Sequence, residues 1–316
     1  MQPHYSSLPF SLIALAAGLC LLVAGGESLV SGAVRLAGRW GMSPLLIGLT
    51  VVAFGTSTPE LFISLSANLQ GQPDILVGNV IGSNIANIGL ILGCCALIKP
   101  IRAPFSFFAT ELAWVLTASF VLAGLTFYGM FNRFPGLLFI GALILFSYFS
   151  YKSGSAQPPD KDEDPSPKSS YFTCISLCTI GFVGLGYGSI FFINGAVDIA
   201  LHFNISSLVI GLTMAAIGTS LPELASSISA IRRGEPSLLL GNVIGSNLFN
   251  LLMVMGTAAI VKPFALQQQL LYRDIPVMIL FSAVLAPLFY YGNKITRIHG
   301  FLLLLTYGGY ILLLKP

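Results

Sequence analysis

Charge is what this sequence has least of: 9% of its 316 residues are charged, against about 25% in an average soluble domain. Apolar residues make up 55% of the chain, which excludes a water-soluble globule and requires a lipid-embedded one. Histidine and tryptophan are also scarce, at three and two residues. His4, His202 and His299 fall in loops or at span ends, which argues against histidine catalysis. The five cysteines, Cys20, Cys94, Cys95, Cys174 and Cys178, all lie inside apolar runs and read as small apolar fillers. Cys174 and Cys178 are one helical turn apart, but no His or acid completes a soft-metal set. The opening "MQPHYSSLPF" has no Lys or Arg, so it lacks the basic start of a secretory signal, and the first apolar run is expected to stay as a helix.

A hydrocarbon core of ~30 Å needs about 20 apolar residues per helix. Candidate spans lie near 9–36, 44–69, 75–98, 105–129 and 135–151, then near 171–202, 207–231, 238–261, 271–291 and 297–314. The expected fold is an all-α integral membrane protein of ten transmembrane helices.

Shifting the sequence by 163 residues aligns 55–100 with 218–263 without a gap, and 24 of the 46 positions are identical. This is an internal repeat. The identities concentrate in "GTSTPEL" (55–61) against "GTSLPEL" (218–224), and in "GNVIGSN" (78–84 and 241–247), followed by Asn87 and Asn250. Weaker matches run from "SGAVRLAG" against "NGAVDIAL" to Glu111 against Asp274, so each half holds five spans. An odd number of spans makes the halves insert with opposite orientation. With the N-terminus outside, 11 of the 15 basic residues fall in inner loops, as the positive-inside rule requires. The domains are therefore 1–151 and 171–316, joined by a cytoplasmic linker at 152–170, whose Pro, Ser and charged residues cannot bury a core. The acids Asp160 to Asp164 belong to that solvated linker.

Pro59 and Pro222 lack an N–H for the carbonyls of Gly55 and Gly218, so the second and seventh helices are expected to break there. Freed backbone at membrane depth must line a polar cavity, which makes the carbonyls of Ala53 and Ala216 available as hard oxygen ligands. Thr56, Ser57 and Glu60 share one helix face, and Thr219, Ser220 and Glu223 repeat it. Ser83 and Asn87 add a second layer from the third helix, as do Ser246 and Asn250 from the eighth. The third and eighth helices are likewise expected to be broken around this central site. Gly78 and Gly82, like Gly241 and Gly245, suggest close helix approach. Asn79, Asn84, Asn242 and Asn247 fit either the site itself or the capping of broken backbone.

An acid at a helix centre costs ~2.5–3.5 kcal/mol, so Glu60 and Glu223 together cost about 5–7 kcal/mol, whereas an interhelical hydrogen bond recovers only about 0.6 kcal/mol. Structural glue does not explain the pair. Two carboxylates with hydroxyls, amides and carbonyls, and no thiolate or imidazole, describe a site for a hard cation such as Ca²⁺ or Na⁺.

At these residues the sequence resembles the cation/Ca²⁺ exchanger superfamily, and prokaryotic sodium/calcium exchangers in particular. The resemblance covers nearly the whole chain and implies a Na⁺/Ca²⁺ antiporter of the cell (inner) membrane, for which the charge distribution predicts both termini outside. It also implies that the second, third, seventh and eighth helices surround the ions while the first and sixth slide past them. Carried over by position, it implies ligands at Thr56, Ser57, Glu60, Ser83, Asn87, Thr219, Ser220, Glu223 and Ser246, with carbonyls from Ala53 and Ala216. Some relatives, including potassium-dependent ones, carry Asp where this chain has Asn250. With two carboxylates, one Ca²⁺ neutralises the site, whereas three Na⁺ leave one excess positive charge, whose movement is worth ~2.3 kcal/mol per 100 mV. Competing readings are a Ca²⁺/H⁺ antiporter, a K⁺-dependent exchanger and a channel; an intramembrane protease fits poorly because no "GxGD" is present. No enzymatic activity, cofactor or nucleic-acid partner is expected. Glu27 has Ile190 as its repeat counterpart and stands outside the symmetric set, either packing near a helix end or serving an ion pathway. Glu111 and Asp274 are expected to pair with cations near a membrane face, Arg102 or Arg273 being the nearest choices. Asn204-Ile205-Ser206 is a glycosylation sequon.

Overall fold

The computed structural model describes residue 5 and residues 7–154, 170–203 and 218–314. Most of the predicted linker, the first part of the predicted seventh span, Ala216, His4 and the sequon lie outside the described residues. The rest is helical apart from two short strand pairs. Seven described helices are long and apolar enough to cross a membrane, and a bent pair makes an eighth. Arg297–Leu313, at 17 residues, is shorter but also apolar. The protein is a multi-pass membrane protein, and its large exposed side chains, such as Phe62, Phe127 and Phe172, are those expected to face lipid.

Two helices exceed the rest in length: α1 (Leu8–Trp40, 33 residues) and the later Tyr171–His202 (32 residues). At 1.5 Å per residue each is about 50 Å long, well beyond a ~30 Å hydrocarbon core. They pack against each other along most of that length. The seam is glycine: a Cβ at Gly25 would come within 2.8 Å of Leu185 N, and one at Gly188 within 2.8 Å of Leu22 N. Gly18, Gly25 and Gly32 recur every seven residues, and the 163-residue shift carries them onto Gly181, Gly188 and Gly195. A seven-residue spacing keeps one stripe facing one partner along two slowly crossing helices. Ser28 Oγ adds a hydrogen bond to Leu177 O at 2.8 Å.

The second span is broken as expected. It comprises α2 (Pro44–Ile47), a π-helical turn (Gly48–Val52), α3 (Ala53–Thr56) and, after Ser57, α4 (Thr58–Leu69), with a 43° bend at the break. Ser57 takes φ −84° and ψ 2°, the bridge conformation that leaves the helix without a left-handed turn. Where the described part of the seventh span ends its own break, Ser220 takes φ −87° and ψ 5°. The two prolines thus produce the same local geometry.

The third and eighth spans depart from expectation. Pro73–Ile98 and Pro236–Val261 are each a single apolar helix, not a broken one. Each carries a π-helical turn in its middle, between α5 (Pro73–Ala86) and α6 (Gly93–Ile98) at Asn87–Leu92, and later at Phe249–Val254. Neither span contains an internal proline, so the backbone widens by one residue per turn without losing its ladder. Asn87 and Asn250 sit at or beside the start of these widened turns.

Beyond α7 (Ala109–Tyr128) and α8 (Arg133–Gly154), the second half runs through α9 (Tyr171–His202), α10 (Leu221–Arg233), α11 (Pro236–Leu248) and α12 (Met255–Val261). It ends with α13 (Gln269–Tyr272), α14 (Asp274–Gly292) and α15 (Arg297–Leu313). The halves interlock where α2 and its π turn cross α11. A Cβ at Gly241 would meet Leu49 N at 2.9 Å, and one at Gly245 would meet Ala53 Cβ at 2.7 Å. For Gly78 and Gly82, their repeat counterparts, the residues equivalent to Leu45, Leu49 and Ala53 are 208, 212 and 216, which lie outside the described residues. Pro236–Val261 is buried throughout its apolar window and Pro73–Ile98 over most of it. The outer helices α1, α7, α8, α9 and α14 are far less covered.

Loop contacts sort into two groups. Strand β1 (Ile101–Arg102) pairs antiparallel with β4 (Lys294–Ile295), and β2 (Met130–Phe131) with β3 (Phe264–Ala265). Around the second pair, Asn68 Nδ2 donates to Lys262 O at 2.8 Å and Arg133 Nε to Ile260 O at 3.2 Å. Beside the first pair, Arg297 donates to Ile98 O at 3.4 Å.

Candidate ion-binding site

Breaking the second and seventh spans at Ser57 and Ser220 starts two new helices in mid-protein, and Glu60 and Glu223 fall in their first turns. There the unsatisfied N–H groups and positive dipole end favour a carboxylate. Both acids are buried, 0% and 1% exposed. Among the described residues no Lys, Arg or His hydrogen-bonds or ion-pairs with either acid, and a bound cation would compensate their charge.

Hydrogen bonds cross between the halves. Thr56 Oγ1 shares its proton between Val52 O (3.1 Å) and Asn242 Oδ1 (3.3 Å). Its counterpart Thr219 Oγ1 donates to Asn79 Oδ1, also at 3.3 Å. Asn79 Nδ2 donates to Ser64 Oγ at 2.9 Å and to Glu60 O at 3.5 Å. Asn242 Nδ2 repeats this toward Ser227 Oγ at 3.0 Å and Glu223 O at 3.5 Å. It also reaches Ser226 Oγ at 3.1 Å. The structure thus answers what Asn79 and Asn242 do: each braces the new helix of its own half and receives the threonine of the other. Ser64 and Ser227 were missed at the sequence level, although they are identical across the repeat.

Further along the same helix faces, at intervals of four residues, come Ser83 and Asn87, and Ser246 and Asn250. Asn87 Nδ2 donates to Asn247 Oδ1 at 2.9 Å, tying the third span to the eighth. Ser57 Oγ donates to Glu223 Oε1 at 3.3 Å. Ala53 O accepts from Ser57 N at 3.0 Å and from Thr56 Oγ1 at 3.4 Å, so it faces the same region while already engaged. Ala216 lies outside the described residues.

What remains unpaired is concentrated on the predicted residues. Glu60 Oε1 and Oε2, Ser83 Oγ, Asn87 Oδ1, Ser220 Oγ, Glu223 Oε2, Ser246 Oγ and Asn250 Oδ1 and Nδ2 are all buried without a hydrogen-bond partner. An orphaned buried polar group costs ~1–3 kcal/mol, more when charged. Eight of these nine atoms are oxygens, contributed by both halves. Carboxylate, hydroxyl and amide oxygens are the donor set of Ca²⁺ and Na⁺, and the lack of sulfur or imidazole disfavours softer metals.

Residues 10–152 and 174–315 match the family model described as sodium/calcium exchanger protein. The chain belongs to that family. It is 39% identical over 313 residues to the putative antiporter CaxA of Alkalimonas amylolytica, covering 94% of this chain and 96% of that one. It is 31% identical to the sodium/calcium exchanger MaX1 of Methanosarcina acetivorans, over 96% of this chain and 98% of the relative. Its structure superposes on that of the sodium-calcium exchanger NCX_Mj soaked with zero Na⁺ and Ca²⁺, with a TM-score of 0.85 at 33% identity, over 98% of this chain and 100% of that one. The same exchanger soaked with Na⁺ and Sr²⁺ gives a TM-score of 0.83.

Outside the cluster, this exchanger-family protein settles several open residues. Glu27 pairs with Arg233 (Oε2 to Nη2, 2.6 Å) and accepts from Ser229 Oγ at 3.2 Å, tying α1 to α10. That contact is a tie between helices outside the buried cluster. Asp274 is held by Arg273 Nε at 3.0 Å and Tyr310 OH at 2.9 Å, the expected charge pairing. Ser189 Oγ of α9 donates to Gly218 O at 2.9 Å, satisfying the carbonyl that Pro222 deprives of its N–H. No sequence signal identified Ser189, because its repeat counterpart is Gly26. Among the described residues no cluster of His, Cys, Asp and Glu gathers elsewhere to hold a metal.

Proposed function

We propose that this protein is a secondary antiporter that exchanges Na⁺ for Ca²⁺ by alternating access at one site between its two halves. The observation that carries this reading is the cluster of buried, unpaired oxygens on Glu60, Ser83, Asn87, Ser220, Glu223, Ser246 and Asn250. With Thr56, Ser57 and Thr219, whose hydroxyl oxygens retain lone pairs, and the carbonyls of Ala53 and Ala216, these are the residues that would hold the transported ions. Two carboxylates balance one Ca²⁺, and exchange for three Na⁺ would move net charge, making Ca²⁺ extrusion electrogenic.

The architecture proposed with it is ten transmembrane helices in two inverted repeats, 1–151 and 171–316, with the 152–170 linker in the cytoplasm and both termini outside the inner membrane. The strand pairing supports inversion. Repeat-equivalent β1 and β3 do not pair; β1 joins β4 and β2 joins β3, so each pair unites loops assigned by charge to one face. The Glu27–Arg233 tie fits the cytoplasmic face and the Asn68–Lys262 contact the outer one.

Calorimetric titration of the purified protein tests the binding half of this reading. Ca²⁺ binding that weakens as Na⁺ rises at constant ionic strength is expected. Binding indifferent to Na⁺ but competed by protons would replace it with the Ca²⁺/H⁺ reading.

A further inference from the structure

Two pairs of contacts that the repeat makes equivalent are unequal in the structure. Ser57 donates to Glu223, whereas Ser220 Oγ, its counterpart, leaves Glu60 unpaired. Asn87 donates to Asn247, whereas Asn250 leaves its amide unpaired and Asn84 Oδ1 has no donor. In both formed bonds the donor lies in the first half and the acceptor in the second. In both unformed ones the direction is reversed.

The consequence for the asparagines is concrete. With its N–H₂ engaged by Asn247, Asn87 has its carbonyl oxygen turned away and buried without a partner, the presentation a cation ligand needs. Asn250 has no such anchor. Asn84 Nδ2 donates to Val80 O at 2.7 Å, one turn back on its own helix, and its oxygen stands ready to accept. An amide oriented by a hydrogen bond loses less rotamer freedom on binding an ion than a free one. An inverted repeat also has a geometric corollary: when the halves exchange conformations, each contact of one half is replaced by its counterpart in the other.

We propose that Asn247 and Asn84 are alternating positioning residues for the transported cation. Asn247 orients Asn87 when the protein faces one side, and Asn84 orients Asn250 when it faces the other. The inference rests on the reading of Asn87 and Asn250 as ion ligands. Neither Asn84 nor Asn247 touches the ion; each acts through its neighbour's amide.

The test is Ca²⁺ half-saturation measured separately at each face, in sided proteoliposomes, for Asn247→Ala and Asn84→Ala. Losing one net hydrogen bond of orientation corresponds to about a three- to ten-fold rise in half-saturation. Expected is that rise at one face for Asn247→Ala and at the opposite face for Asn84→Ala, with maximal rates within two-fold of wild type. A merely structural role would instead lower the maximal rate or the folded yield. Effects of both variants at the same face, equal effects at both faces, or silence of Asn84→Ala at both faces would overturn the alternation. Where an alanine variant is not monodisperse on size exclusion, the serine variant at that position is measured in its place. Asn87→Ala and Asn250→Ala separate this inference from its premise. If neither alters Ca²⁺ half-saturation at either face, the ligand assignment fails; if both do while Asn247→Ala and Asn84→Ala do not, only the positioning inference fails.

Discussion

Ser57 of the first half donates its hydroxyl to Glu223 of the second, 3.3 Å away, while the equivalent Ser220 finds no partner on Glu60. One sequence motif thus occupies two environments across the same site. Sequence symmetry builds the site, and departure from structural symmetry distinguishes its halves.

In the proposed site Glu60 and Glu223 carry the charge that a cation would meet. Glu60→Gln and Glu223→Gln each remove a negative charge with little change of volume. Each variant is expected to purify as a folded, monodisperse protein and to lose Ca²⁺ flux to the level of empty vesicles. Wild-type flux in either variant would remove that residue from the site.

Asn250 is the position where a carboxylate would make a third charge. In Asn250→Asp, the new group behaves as a neutral amide substitute below its pKa and as an added negative charge above it. Cation retention by the variant is therefore expected to exceed wild type increasingly as pH rises, and to converge with it in acid. Superimposable pH profiles for the two proteins, measured as Ca²⁺ half-saturation, would contradict the placement of Asn250 at the ions.

The Glu27–Arg233 pair is about two-fifths exposed on each side, and such pairs contribute ~0–1 kcal/mol. Stability should barely change in Glu27→Gln. Because the pair ties α1 to α10, its loss is expected to shift Ca²⁺ half-saturation in opposite directions at the two faces, by up to about five-fold for ~1 kcal/mol. The charge swap Glu27→Arg with Arg233→Glu should restore wild-type values. Unchanged half-saturation at both faces would show that the tie is passive.

Ser189 closes the carbonyl of Gly218. Ser189→Ala leaves that carbonyl without its donor and is expected to destabilise the folded protein by about 1–3 kcal/mol, read as a lower thermal midpoint in detergent. The effect should appear without any change in the Na⁺-to-Ca²⁺ preference. An unchanged midpoint would mean that the carbonyl is satisfied another way.

Much of the site was legible because the sequence states it twice. Pro59 with Glu60, and Pro222 with Glu223, have a physical meaning that a single chain reveals: a proline removes a donor, and a buried acid demands a partner. Ser64 and Ser227 were equally visible in the repeat but carried no such imperative, since serine is at home in a helix interface. The expected breaks in the third and eighth spans were wrong because neither span holds an internal proline to interrupt its hydrogen-bond ladder, and a π turn keeps each helix continuous. Gly18, Gly25 and Gly32, with Gly181, Gly188 and Gly195, form a seven-residue pattern that was present in the sequence. Apolar periodicity hides it, because glycine contributes little to a hydrophobic stripe. Contacts without a repeat counterpart, such as Ser189 to Gly218 and Glu27 to Arg233, depend on tertiary approach and left no trace in the spacing.

Proteoliposomes loaded with Na⁺ and diluted into Na⁺-free buffer containing Ca²⁺, with the pH equal on both sides, measure the exchange itself. Expected is Ca²⁺ uptake that requires the outward Na⁺ gradient, vanishes in Glu60→Gln and Glu223→Gln, and accelerates when the interior is made positive, because three Na⁺ leaving for one Ca²⁺ entering carries one positive charge outward. Uptake that proceeds equally without internal Na⁺ and follows an imposed pH gradient instead would contradict Na⁺/Ca²⁺ exchange at the Glu60–Glu223 site.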